Sequence, residues 1–126
     1  MFHLIIKGVY VKKFPSLKKN MDFQRVYHNG KSYANKTLVM YVYKNDCGYN
    51  RIGISVSKKN GNSVIRHTFV RKVREIFRLN KILKSGMDIV VVVRVGAQVK
   101  DYKKLENAYL HLLKLHGLDK YSEEIK

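Results

Sequence analysis

Between Arg51 and Leu83 the hydrophobic period changes once, and that change constrains the architecture more than any other stretch. Ile52, Ile54 and Val56 alternate with Gly53, Ser55 and Ser57, the two-residue period of a half-buried strand running from Arg51 to Lys58. Asn60-Gly61 is turn material. Then the period lengthens. At about 100° per residue, Ile65, Phe69, Val73, Ile76 and Leu83 gather on one side of a helix as its buried face. His67, Arg71, Arg74, Arg78 and Lys81 fall on a narrow stripe elsewhere on it. Asn62 or Ser63 is placed to cap this helix, which is expected to run to about Leu83 and stop at Ser85-Gly86. A row of like charges repels itself and weakens an isolated helix. It becomes useful when a polyanion lies against it, and a phosphodiester backbone is the leading candidate. Arg66 sits at the edge of the stripe. Lys58, Lys59 and the Asn60-Gly61-Asn62 turn lead into the same helix end, where free amide donors also favour phosphate.

The other elements are shorter. Phe14-Pro15 marks a break after fifteen residues with no clear period. Asn20 is a candidate N-cap for a helix over Met21 to His28, closed by Asn29-Gly30. Lys36 to Lys44 is β-branched, aromatic and aliphatic, which predicts a strand. Asn45-Asp46-Cys47-Gly48 turns, so this strand is expected to pair with Arg51–Lys58 as a hairpin. Asp88 to Val95 is Val-rich on both faces and reads as a central strand. A last helix runs from about Tyr102 to His116 and ends at Gly117, with Leu105, Tyr109, Leu112, Leu113 and His116 as its core stripe. The tail from Asp119 is polar. The order is helix, strand, strand, helix, strand, helix, with room for one more short strand early. That describes one α+β domain over residues 1–126, a small sandwich with helices packed on a sheet. Residues 1–15 and 119–126 are peripheral to it.

Charge narrows the partners. The chain has 26 Lys and Arg against 9 Asp and Glu, a formal +17, while 45% of its residues are apolar. That is enough for a real core, so the charge belongs to a folded surface and not to a disordered tail. No acid occurs from Cys47 through Arg74. Nucleic acid is the usual partner for such a surface. An anionic membrane would need a helix with a free apolar face, and these faces are committed to a core. The longest aliphatic run, Ile89 to Val93, is far short of a membrane span. The opening Met1 to Lys7 is too short for a signal h-region. Cys47 is alone, so no disulfide forms within the chain, which suits a reducing cytoplasm.

Catalytic patterns are missing. Gly30-Lys31-Ser32 ends like a phosphate-binding loop, but the earlier glycine that motif requires is Arg25, and a helix precedes it where a strand is needed. The histidines are scattered and offer no zinc spacing with one cysteine. The acids mostly flank helix and strand ends. Phe23, Tyr27 and Tyr41 have two readings. They are core, or, if the short helix leaves part of the sheet open, they line a groove on which single-stranded bases stack. Asn35 is either a turn residue or a polar edge contact.

Leu17-Lys18-Lys19-Asn20, Asp22-Phe23-x-x-Val26-Tyr27-x-x-Gly30, Ala34-Asn35, Gly53-Ile54-Ser55-Val56-Ser57-Lys58-Lys59 and Gly61-Asn62-x-Val64-x-Arg66 together resemble the protein subunit of bacterial ribonuclease P. The resemblance spans roughly Leu17 to Leu118. The last motif opens the helix that carries that family's Arg-Asn-x-x-Lys-Arg signature. Arg66 and Arg71 keep its two arginines and Arg74 follows on the same helix, while His67 stands for its Asn and Val70 for its Lys.

The resemblance implies an α-β-β-β-α-β-α sandwich like the second domain of ribosomal protein S5. It includes a left-handed crossover through the basic helix, where general chirality rules favour the right-handed form. It implies a non-catalytic subunit in a ribonucleoprotein endonuclease whose RNA holds the Mg2+ ions and cleaves the 5′ leader from precursor tRNA. No cofactor is expected on the protein itself, and no membrane or small-molecule partner. Lys58, Lys59, Arg66, His67, Arg71, Arg74 and Arg78 would face RNA. Phe23, Tyr27 and Tyr41, with Lys59 and Arg66 at the margin, would form the leader cleft. Two rival classes stand beside this reading. A ribosomal-type RNA-binding protein needs no aromatic groove, and a stand-alone metal-dependent nuclease would cleave without an RNA partner.

Overall fold

The computed structural model describes residues 15–119 in full and, before them, the backbone of two short strands, β1 (His3–Ile6) and β2 (Val9–Lys12), paired antiparallel. Apart from Pro15 and Asp119, the peripheral segments expected at the two ends lie outside the fully described residues. The elements that follow are α1 (Asn20–Asn29), β3 (Lys31–Ala34), β4 (Leu38–Lys44), β5 (Arg51–Val56), a 3-10 turn at Lys58–Asn60, α2 (Ser63–Leu79), β6 (Met87–Val93) and α3 (Tyr102–Leu115). From α1 onward the order is the α-β-β-β-α-β-α implied by the resemblance.

The sheet order is β3-β4-β6-β5. β6 pairs antiparallel with β4 and parallel with β5. The expected β4–β5 hairpin does not form, because β6 lies between them. β5 instead reaches β6 through α2, and the hairpin partner of β4 is β3. β6 is central, as its two apolar faces require. Ile89, Val91 and Val93 pack with Leu38, Met40, Ile52, Phe69, Val73, Ile76, Leu105, Tyr109, Leu112 and Leu113 beneath α2 and α3. Val90 faces the other way, against Leu17 and Val26. Helices therefore cover both faces of the sheet, α2 and α3 on one and α1 on the other.

Local chemistry sets the ends. The Asn62 side chain accepts from the Ile65 amide at 3.0 Å and caps α2. Asp101 caps α3 through the Lys104 amide, also at 3.0 Å. α1 starts one residue earlier than predicted. Lys19 occupies its cap position without a side-chain bond, so Asn20 is helical and not the cap. α2 stops at Leu79, short of Leu83, because Asn80 returns both its backbone N–H and its side-chain amide to the Ile76 carbonyl. Leu83 is exposed and not on the helix. Asn35 fills both roles left open for it. Its Oδ1 accepts from Thr37 and Leu38, shaping the β3–β4 turn, so the strand begins at Leu38 and not at Lys36. Its amide donates to the Ala108 carbonyl on α3. His116 caps the end of α3, donates Nε2–H to the Met40 carbonyl at 3.0 Å and meets Tyr33 edge-on. Burial holds its imidazole below the ordinary histidine range.

Candidate nucleic-acid interface

The register of the α1 face builds the site in rungs, because alternate residues of neighbouring strands share a face. The first rung is Arg51, Asp88 and Tyr43. Asp88 is fully buried. Arg51 grips it through two bonds, Nε–Oδ1 at 2.8 Å and Nη2–Oδ2 at 2.7 Å. Asn45 donates a third bond at 2.8 Å. The Asp88 hydrogen bond raises the Arg51 guanidinium above its ordinary range against the opposing effect of burial. Arg25 of α1 lies 3.8 Å from Asp88 and 2.9 Å from Asp22. This network fastens one end of α1 to the sheet.

The second rung, Gly53, Val90, Tyr41 and Ser32, carries the body of α1. Phe23 stands directly over Gly53, where a Cβ would lie 2.6 Å from the ring. Phe23, Tyr27 and Tyr41 form a continuous row. Ring centroids are 6.3 Å apart for Phe23 and Tyr27, and 4.9 Å apart, edge to face, for Tyr27 and Tyr41. All three are half-buried, so each is seated in the core and still presents ring surface.

The third rung is Ser55, Val92, Val39 and Ala34. Its residues are small, and none is buried. The aromatic row therefore borders a shallow trough with a small-residue floor. Sequence reasoning did not identify Ser55, Val92 or Val39 as part of the site. The alternation was legible, but only the strand order makes these residues neighbours.

The cationic groups gather at the β5 side of the trough. Lys58 and Lys59 are exposed on the 3-10 turn after β5. Asn60 pins that turn to the end of β6 by donating to the Val93 carbonyl. Arg66 is half-buried and bends back, its Nε donating to the Gly61 carbonyl at 3.3 Å. His67, Arg71 and Arg74 are exposed along α2. α2 packs beneath β5, whose outer edge is lined by Pro15–Leu17 through a parallel bridge at Ser16 and Ile52. Arg74 Nη2 donates to Ser16 Oγ at 3.3 Å, so the α2 ridge and the trough meet along this edge.

Two members of the predicted stripe stand apart. Lys81 lies beyond the helix end. Arg78 forms a two-point pair with Glu75, at 2.7 and 3.2 Å. That pairing lowers the Glu75 carboxyl and raises the Arg78 guanidinium from their ordinary ranges. Among the described residues, no three His, Cys, Asp or Glu side chains converge as a metal site. No helix there is long and apolar enough to cross a membrane.

The family model Ribonuclease P matches residues 11–116. A ribonuclease P protein component from Lachnoclostridium phytofermentans is 55% identical over 109 residues, covering 86% of this chain and 94% of the relative. One from Clostridium botulinum is 47% identical over 104 residues, covering 81% and 94%. Among solved structures, the Staphylococcus aureus RNase P protein superposes with a TM-score of 0.78 at 38% identity, covering 86% of this chain and all of that one. The Thermotoga maritima protein gives 0.70 at 35% identity, covering 79% and 96%.

Proposed function

The chain belongs to the family of ribonuclease P protein components, and from that premise we propose how it serves the tRNA 5′-processing ribonucleoprotein of which it is the protein subunit. The α2 ridge and its leading turn bind the ribonuclease P RNA, with Lys58, Lys59, Arg66, His67, Arg71 and Arg74 against phosphates. The trough takes the single-stranded 5′ leader of precursor tRNA, its bases stacking on Phe23, Tyr27 and Tyr41. Lys59 and Arg66 stand where the two surfaces meet. Arg78 contributes less, because Glu75 already neutralises it. The polypeptide is non-catalytic and binds no cofactor of its own. Mg2+ held by the RNA supplies the hydrolytic chemistry, and the complex works in the cytoplasm. The protein's part is positional. A leader held on one side of the cleavage site places the scissile phosphate at the RNA's reacting groups, which is a proximity effect. Stacking tolerates sequence variation, as a substrate set with different leaders requires.

One observation carries this reading: a half-buried aromatic row bordering a floor of small, partly exposed residues, with a cationic edge beside it whose stretch from Cys47 to Arg74 holds no acid. The test is affinity in the reconstituted holoenzyme. Phe23→Ala and Tyr27→Ala should each weaken precursor tRNA binding roughly 5- to 150-fold, the equivalent of about 1–3 kcal/mol of stacking. Mature tRNA binding should hold. Equal losses for both RNAs would remove the leader from the trough. Cleavage by the protein with magnesium but without the RNA subunit would overturn the non-catalytic assignment.

A further inference from the structure

α3 and β3 build a second cationic surface at the edge of the sheet away from α2. The two elements lie side by side and are joined at three points. Tyr33 meets His116 at a centroid distance of 4.7 Å. The Asn35 amide donates to the Ala108 carbonyl at 3.0 Å and to His111 Nδ1 at 3.2 Å. Lys36 and Thr37 share a cavity of about 140 Å³ with Asp101, Lys104 and Leu105. Along this seam Lys31, Lys36, Lys104, His111 and Lys114 are all exposed. Lys31 is fixed by its approach to the Tyr33 ring, 5.7 Å from the centroid. The ten helical steps from Lys104 to Lys114 span roughly 15 Å, alongside β3 from Lys31 to Ala34 and the turn that carries Lys36.

The acids near this seam are already engaged. Asp101 caps α3 through the Lys104 amide, and Glu106 pairs with Lys103 at 3.7 Å. The seam is thus a strip of mostly like charge tied together by side-chain contacts, its one carboxylate, Asp101, lying at the Lys36–Lys104 end against five cationic or titratable side chains. β3 and β5 are the two outer strands, three spacings or roughly 14 Å apart. The α2 ridge lies at the β5 edge.

We infer that the α3–β3 seam, Lys31, Lys36, Lys104, His111 and Lys114, is a second docking surface for the phosphate backbone of the ribonuclease P RNA, engaging a different segment from the one on α2. Charge complementarity selects the occupant. The inference rests on the family's RNA being the partner, but not on the assignment of α2. A protein gripping RNA at both edges acts as a clamp between two segments, with the trough open between them.

The test is the affinity of the full-length protein for the ribonuclease P RNA, without tRNA, over a salt series. The triple variant Lys36→Gln, Lys104→Gln, Lys114→Gln should bind at least about tenfold more weakly, with a log affinity against log salt slope shallower by about 2 to 3. Arg71→Gln with Arg74→Gln, measured in parallel and combined with the triple, should give additive losses, since the segments differ. Discrimination between precursor and mature tRNA should be unchanged in the triple-variant holoenzyme. An unchanged slope would overturn the inference, as would an equal loss from Lys44→Gln with Lys84→Gln, two exposed lysines off the seam. So would a loss confined to precursor tRNA, which would mark the seam as a leader path. If the α2 pair has no effect while the triple does, the α2 assignment falls and the seam stands.

Discussion

Gly53 determines where the aromatic row can sit. Its backbone is ordinary extended strand, so conformation does not demand glycine there. Space does. An added Cβ would meet the Phe23 ring at 2.6 and 2.7 Å and the Leu17 Cβ at 3.1 Å. The ring is the mobile party, being half-buried at the border of the trough, whereas Leu17 is 5% exposed and fixed. Gly53→Ala should therefore push Phe23 out of line and leave the fold standing, at a cost of about 1–3 kcal/mol in stability. Its functional mark should match Phe23→Ala: precursor tRNA affinity falls several-fold and mature tRNA affinity holds. Binding assays on the two variants side by side check this. A Gly53→Ala holoenzyme that still discriminates like the parent would mean that the position of the Phe23 ring is irrelevant to the leader. The same residue shows what sequence can and cannot reveal. The alternation placed Gly53 opposite Ile52 and Ile54 on β5, but that Phe23 roofs it depends on a contact thirty positions away.

Within α2, charge and availability part company. Arg71 and Arg78 both belonged to the predicted stripe, and both are exposed. Arg71 bonds only to the neutral Thr68 hydroxyl, at 3.3 Å, among the contacts described, while Arg78 is held by Glu75. Arg71→Gln should flatten the salt dependence of RNA binding by nearly one unit of slope, and Arg78→Gln by much less, since Arg78 is already held by Glu75 and neutralises little phosphate charge. Equal slopes for the two variants would show that the Glu75 pair opens on binding. The 3.6-residue period found the helix, its buried face of Phe69, Val73 and Ile76, and its Asn62 cap, because all three are local. Its end was missed by four residues because Asn80 closes it through a side-chain bond that no period encodes. The false β4–β5 hairpin has a similar origin. A short turn-rich link between two strands ordinarily pairs them, and only the insertion of β6, more than thirty residues downstream, parts them. The trough was half legible for that reason. Its aromatics follow from helix period and strand alternation, while its floor exists only once β4, β6 and β5 lie in that order.

For the molecule as a whole, salt should act in opposite directions on folding and on function. The formal charge is +17. Four of the nine acids, Asp22, Glu75, Asp88 and Glu106, are in ion pairs, and Asp101 caps a helix. Most of the lysines and arginines therefore have no acid to offset them, and they are spread over both edges of one small sheet. Charges that repel across a folded surface are farther apart in the unfolded chain, so compaction costs energy that screening returns. Raising potassium chloride from about 0.05 to 0.5 M shortens the screening length from roughly 14 to 4 Å, below the spacing between the two edges. The Tm of the free protein should rise across that range, because the buried Arg51–Asp88 pair is shielded from salt and the exposed pairs among the described residues are few. Affinity for the ribonuclease P RNA should fall over the same range, as counterion release weakens. Thermal denaturation and RNA titration in matched buffers test both limbs together. A Tm that falls with salt would mean that internal ion pairs outweigh the repulsion. The excess charge would then be no burden on the fold, and relief by a polyanion could no longer explain why the chain carries it.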